Sequence, residues 1–114
     1  MLKRCAAKPG AVIDHPWGPE DSVFKVGGKI FAFVGDEGST AGTFKCDRDR
    51  IPEWRSRYPD HIGPARYLTN KPWNSVTYKG VAGDDMAELI DDSYHEVCLT
   101  LAKKHRPDGW DAEA

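Results

Sequence analysis

Apolar residues recur at three- and four-residue spacing along "DDMAELIDDSYHEVCLTLAKKH", where Met86, Leu89, Ile90, Tyr94, Val97, Cys98 and Leu101 make one stripe. That period belongs to an amphipathic helix with its stripe turned to a core. Asp84, Asp85 and Glu88 in the first turns and Lys103, Lys104 and His105 in the last complement the helix dipole, and Pro107 stops the run. The pattern predicts a helix over about 84–104. "VFKVGGKIFAFV" instead alternates with period two on both sides of Gly27-Gly28, which predicts a hairpin closed by a two-residue turn. Strict alternation places Val26 opposite Lys29, Lys25 opposite Ile30 and Phe24 opposite Phe31. Phe24, Val26, Phe31 and Phe33 then share the face toward the helices, and Val23, Lys25, Ile30, Ala32 and Val34 share the other.

The remaining segments are shorter. "AGTFKC" continues the meander after a Gly/Ser/Thr loop at 35–42, with Lys45 on the outer face. "DRDRIPEWRSRYP" reads as a short helix capped by Asp47 or Asp49, with Pro52 in its first turn and Ile51, Trp54 and Tyr58 on its apolar side. A Gly/Pro turn at 63–64 precedes two strand candidates, Arg66 to Thr69 and Trp73 to Tyr78, and residues 1–7 form a first short helix halted by Pro9-Gly10. The order predicts an α+β two-layer sandwich, an antiparallel sheet with the N- and C-terminal helices on one face and the other face open. The expected core is Phe24, Phe31, Phe33, Phe44, Leu89, Ile90, Val97 and Leu101.

Length and composition set the frame for these elements. A chain of 114 residues, 39% hydrophobic and 30% charged, fits one domain over 1–114 that needs no disulfide or metal to hold its core. Cys5, Cys46 and Cys98 form no CxxC pair and leave one thiol over in any disulfide scheme, which points to the cytoplasm. No long apolar run implies a membrane span. Charge is uneven: residues 41–80 carry eight Lys+Arg against four Asp+Glu, and residues 81–114 three against nine. A polar partner surface is one origin of such asymmetry.

"FKVGGKIFAFV", "DRDRIPEW", "TNKPWNSV" and "LIDDSY", in this order over most of the chain, resemble the MmcQ/YjbR-like family of small bacterial proteins. The resemblance implies a fold similar to CyaY and frataxin, with helices on one face of an antiparallel sheet, and a DNA-binding role that rests on a proposed double-wing shape. Family members often carry His before the tryptophan of the "NK..W" motif, where this sequence has Pro72. A role of that histidine does not transfer.

Arg48, Arg50, Arg55, Arg66 and Lys71, interleaved with aromatics, are nominated with Trp73 and Asn74 as a nucleic-acid-binding set, since cations neutralise phosphates and rings stack on bases. Trp73 is expected to anchor its strand, with Lys71 and Arg66 at its mouth and the acidic last helix facing away. The expected partner is DNA or single-stranded nucleic acid; the alternative is a protein bound by the open sheet face. A third reading, a frataxin-like metal binder, uses Asp84, Asp85, Glu88, Asp91 and Asp92, but acids at a helix start are stabilising without a metal. His15, His61, His95 and His105 have no zinc-ligand spacing, the glycines lead into strands and so make no phosphate loop, and Ser93 and His95 point apart on the helix. No enzyme, metal or cofactor is expected.

Overall fold

The computed structural model describes residues 2–35, 38–66, 68 and 70–111. Its elements are α1 (Leu2–Ala6), β1 (Val12–Asp14), β2 (Ser22–Val26), β3 (Lys29–Gly35), β4 (Ala41–Lys45), α2 (Ile51–Arg57), β5 (Ile62–Pro64), β6 (Trp73–Thr77) and α3 (Gly83–Leu99). Single 3-10 turns lie at Arg48–Arg50, Tyr78–Gly80 and Lys103–His105. The strands form one antiparallel sheet in the order β1-β2-β3-β4-β6-β5, with the helices packed on one side. This is the α+β two-layer architecture that the hydrophobic pattern predicts.

The hairpin closes where the glycines place it. Gly27 and Gly28 have φ of 57° and 81°, the paired positive values that a two-residue turn needs to match strand twist. Gly27 is needed a second time, because a Cβ there would come within 2.7 Å of the Leu101 side chain. Val26 faces Lys29 and Lys25 faces Ile30 as expected, but Phe24 faces Ala32. The register shifts between Phe24 and Lys25, so Phe31 is an extra residue in β3. Such a bulge sends two successive side chains to the same side. Phe31 and Ala32 therefore both enter the core, and Phe33 turns to the open face, which corrects the expected position of Phe33. A second shift between Ser22 and Val23 makes Val34 the next extra residue, and Val34 joins the core as well.

The bulge has a partner in α3. If the register of Ala32 with Phe44 and Phe33 with Thr43 were extended, Phe31 would face Lys45. There the Ser93 hydroxyl sits between the strands, donating to the Phe31 carbonyl at 2.5 Å and accepting from the Lys45 amide at 2.8 Å. A helix side chain thus completes the ladder that the bulge opens.

Three boundaries differ from the sequence reading. β1 has no strong pattern of its own and is held by pairing with β2. The expected strand at 66–69 includes Tyr67 and Thr69, which lie outside the described residues; Arg66 and Leu68 belong to turns, and β5 forms instead at Ile62–Pro64, where a turn was expected. Pro64 fits because β5 lies at the sheet edge, where a missing amide costs least. α3 ends at Leu99 rather than near 104, because Arg106 folds back and its Nε donates to the Cys98 and Leu101 carbonyls at 2.9 and 3.2 Å. Those bonds satisfy acceptors that a helix end leaves open.

The core between sheet and helices holds Phe24, Val26, Phe31, Val34, Phe44, Val76, Leu89, Ile90, Val97 and Leu101, with Trp54 of α2 fully enclosed. Phe31 packs edge-on against Tyr94, ring centroids 5.3 Å apart.

Candidate nucleic-acid interface

Local sequence sets up the basic segment. Asp47 accepts a hydrogen bond from the Asp49 amide at 3.0 Å and so starts the turn that leads into α2, while Pro52 occupies the first turn of the helix, where an amide would lack a partner anyway. This orientation buries Trp54 and brings Arg50 and Arg57 over its indole, with guanidinium carbons 5.1 and 4.8 Å from the ring centre. Arg50 then reaches α3, pairing with Glu88 and, at 2.5 Å, with Asp92; Arg57 pairs with Asp85 at 3.3 Å and Glu53 at 3.0 Å. The Tyr58 hydroxyl donates to Asp85 and accepts from the Ala82 amide at 3.3 Å, which fastens the start of α3 to the end of α2. The hydrogen bond to Asp85 raises the Tyr58 pKa. On this side the acidic helix faces the arginines instead of facing away.

The nominated residues therefore separate. Arg50 is tied to α3. Arg55 is half-buried, and its Nε donates to Asn74 Oδ1 at 3.0 Å; Asn74 is fully buried on the helix side of β6, where it joins α2 to the sheet, and its amide nitrogen has no partner among the described residues. Arg48 is exposed in the turn before α2, and Arg66 and Lys71 are exposed in the segment between β5 and β6. Trp73 lies half-buried on the open face, directly across from Lys45.

That open face has a row of rings. Phe33 meets Trp73 edge-on at 5.5 Å and lies nearly parallel to Trp17 at 6.2 Å, an interplanar angle of 13°. Trp17 is 64% exposed. Thr43 and Ser75 pair across the same face, and Lys25 is held by Asp14 at 2.8 Å. Hydrogen bonds from Lys25 and from the His15 amide lower the Asp14 pKa. Sequence reasoning missed Trp17 and Phe33 as surface residues. A tryptophan between Pro16 and Gly18, outside any periodic run, was the available signal for the first; the bulge hid the second.

Of the α3 carboxylates, Asp85, Glu88, Asp91 and Asp92 are engaged by cations. Asp91 receives Arg4 at 2.6 Å and Lys8 at 2.5 Å, and Glu88 and Asp92 receive Arg50. Among the described residues no group of three or more His, Cys, Asp or Glu side chains is arranged to hold a metal ion, and no helix is long and apolar enough to cross a membrane. Cys5, Cys46 and Cys98 are free and buried, and burial pushes the thiols of Cys5 and Cys46 up to about 12.

Comparison with known proteins fits this architecture. The YjbR family model matches residues 6–96. The chain belongs to the YjbR family. It is 36% identical over 106 residues to the uncharacterized protein YbdF of Escherichia coli O157:H7, covering 90% of this chain and 85% of the relative. A crystal structure of the Deinococcus radiodurans protein DR2400, a DUF419 domain, superimposes with a TM-score of 0.83 at 29% identity, covering 91% of this chain and 80% of the other. A Pseudomonas syringae protein shares the fold at a TM-score of 0.55 and 23% identity, over 73% of this chain and 83% of its own. YjbR-family membership thus comes with a shared fold, and the relatives' names assign no activity.

Proposed function

We propose that this YjbR-family domain is a cytoplasmic binding module without catalytic activity, and that the open sheet face contacts nucleic acid, single strands in preference to duplex. The observation that carries the reading is the row Trp17, Phe33 and Trp73 on the uncovered face, with Lys45 across from Trp73 and Lys71 in the preceding loop. A sheet that presents rings lets unpaired bases stack while nearby cations meet the backbone. Arg50 and Arg55 support the fold under this reading, and their engagement with α3 and Asn74 removes them from the contact set. The three unpaired thiols support a reducing compartment.

Fluorescence anisotropy with labelled single- and double-stranded oligonucleotides at two salt concentrations tests the proposal. Trp73→Ala should cost about 1–3 kcal/mol with single strands and less with duplex. Lys45→Ala with Lys71→Ala should flatten the slope of log affinity against log salt by about 1.5, and removing Lys103 and Lys104 should leave it unchanged. Absence of binding at low salt by folded protein refutes the proposal. One observation favours a protein partner instead: Val12 and Ile13 on the edge strand β1 are 59% and 52% exposed, close in sequence to Trp17. An exposed apolar edge is a template for strand pairing.

A further inference from the structure

The strand registers set an unbroken row across the open face: Phe33 faces Thr43, Thr43 faces Ser75, and Ser75 faces Gly63. Side chains shrink along that row from a ring to two hydroxyls to none. A low polar shelf therefore runs from Phe33 to the β5 edge, with Trp73 two residues from Ser75 on the same face of β6. Thr43 and Ser75 are half-buried, and among the described residues neither hydroxyl has a hydrogen-bond partner. Lys45, two residues from Thr43 on the same face of β4, makes no ion pair among the described residues. Gly63 stands in the middle of β5 in regular register. Glycine there weakens a strand, and it often marks the close approach of a ligand or of another backbone. A Cβ at Gly63 would meet nothing within 4 Å, so no other part of the described chain calls for the glycine.

We propose that this shelf holds ribose: the Thr43 and Ser75 hydroxyls bond the 2′-hydroxyl of a nucleotide whose base lies on Trp73, so that the open face selects single-stranded RNA over single-stranded DNA. The inference rests on the open-face reading above and names its substrate. Two residues' rise puts Ser75 about 7 Å along the strand from Trp73, beyond the footprint of a base on the indole and within reach of its sugar. A 2′-hydroxyl both donates and accepts, and so does the hydroxyl of serine or threonine, so the two are matched in either sense. Lys45, beside Thr43, reaches the phosphate of the same nucleotide. Rings and cations alone would bind both kinds of strand alike, and the shelf is the feature that tells the sugars apart.

Fluorescence anisotropy with three labelled oligonucleotides of one sequence tests the proposal: decauridylate, its 2′-deoxy counterpart, and its 2′-fluoro counterpart, which keeps a ribose-like pucker but has no hydroxyl to donate. The RNA should bind at least about fivefold more tightly than either of the others, the factor that one net hydrogen bond supplies. Thr43→Val with Ser75→Ala should bring the RNA down to the DNA level and leave DNA affinity within about twofold of the parent, since only the sugar contact is removed. Trp73→Ala should weaken all three. An unchanged urea midpoint will show that the variants fold. Equal binding of RNA and DNA, RNA-like binding of the 2′-fluoro strand, or a preference that survives the double variant would overturn the proposal and leave the open-face reading standing. Binding of none of the three by folded protein would overturn both.

Discussion

Replacing Ser93 with alanine removes one oxygen from the centre of the molecule and leaves two backbone groups without a partner. The hydroxyl is fully buried and joins the Phe31 carbonyl, 2.5 Å away, to the Lys45 amide, 2.8 Å away. Each buried polar group left unsatisfied costs about 1–3 kcal/mol. Against that stand the better helix propensity of alanine, about 0.5 kcal/mol, and the second lone-pair site of the carbonyl, which tolerates a weak contact better than the amide does. The net expectation is a loss of about 2–4 kcal/mol, a large part of the 5–15 kcal/mol that typically holds a domain together. Urea unfolding followed by circular dichroism should show a lower midpoint at unchanged slope, and hydrogen exchange at the Lys45 amide should accelerate more than at its neighbours. Ser75→Ala, on the open face, is the control and should stay within about 0.5 kcal/mol of the parent. A Ser93→Ala protein as stable as that control, with the Lys45 amide still protected, would mean that β3 and β4 close directly on one another and that the bridge is not required.

The bulge makes a second prediction: Phe31→Ala should cost about 3–5 kcal/mol and Phe33→Ala less than half as much, measured in the same denaturation, because only Phe31 leaves a cavity in the core. Native protein should react with none of a thiol reagent such as Ellman's at neutral pH, and unfolded protein should yield all three thiols, since Cys5, Cys46 and Cys98 are buried and burial raises their pKa values. Burial alone would raise the pKa of Asp91, but hydrogen bonds from Arg4 and Lys8 outweigh it and hold the carboxyl below its ordinary value. A group lowered on folding contributes stability above its unfolded pKa and loses it as pH falls through the folded value, so Asp91→Asn should destabilise at pH 7 and converge on the parent only once pH falls below the ordinary carboxylate range. Unfolding midpoints that differ by the same amount at pH 7 and at low pH would contradict that linkage.

Much of the fold was legible in the sequence because its causes are local. The stripe Met86 to Leu101 needs only helical period, Gly27-Gly28 needs only positive φ, and Asp47 needs only the amide two residues on; each was read from a few adjacent residues. The stretches "DRDRIPEW" and "TNKPWNSV", with the hairpin and "LIDDSY", also sufficed to place the family. The candidate site was less legible, since it depends on which face each strand residue meets. Alternation carries no sign of an extra residue, so the bulge at Phe31 reversed Phe33 and moved it beside Trp17 and Trp73. Asn74 was nominated with Trp73 as one contact set, yet on a strand adjacent residues face opposite ways, and Asn74 lies inside with Arg55. Arg50 and the acids of α3, some forty residues apart, read as two separate charged blocks; the packing of α2 against the end of the helix layer brings Arg50 to Glu88 and Asp92. Local propensity specified the elements, while register, handed sheet twist and long-range charge pairing decided which side chains face solvent, and those are properties of the assembled chain.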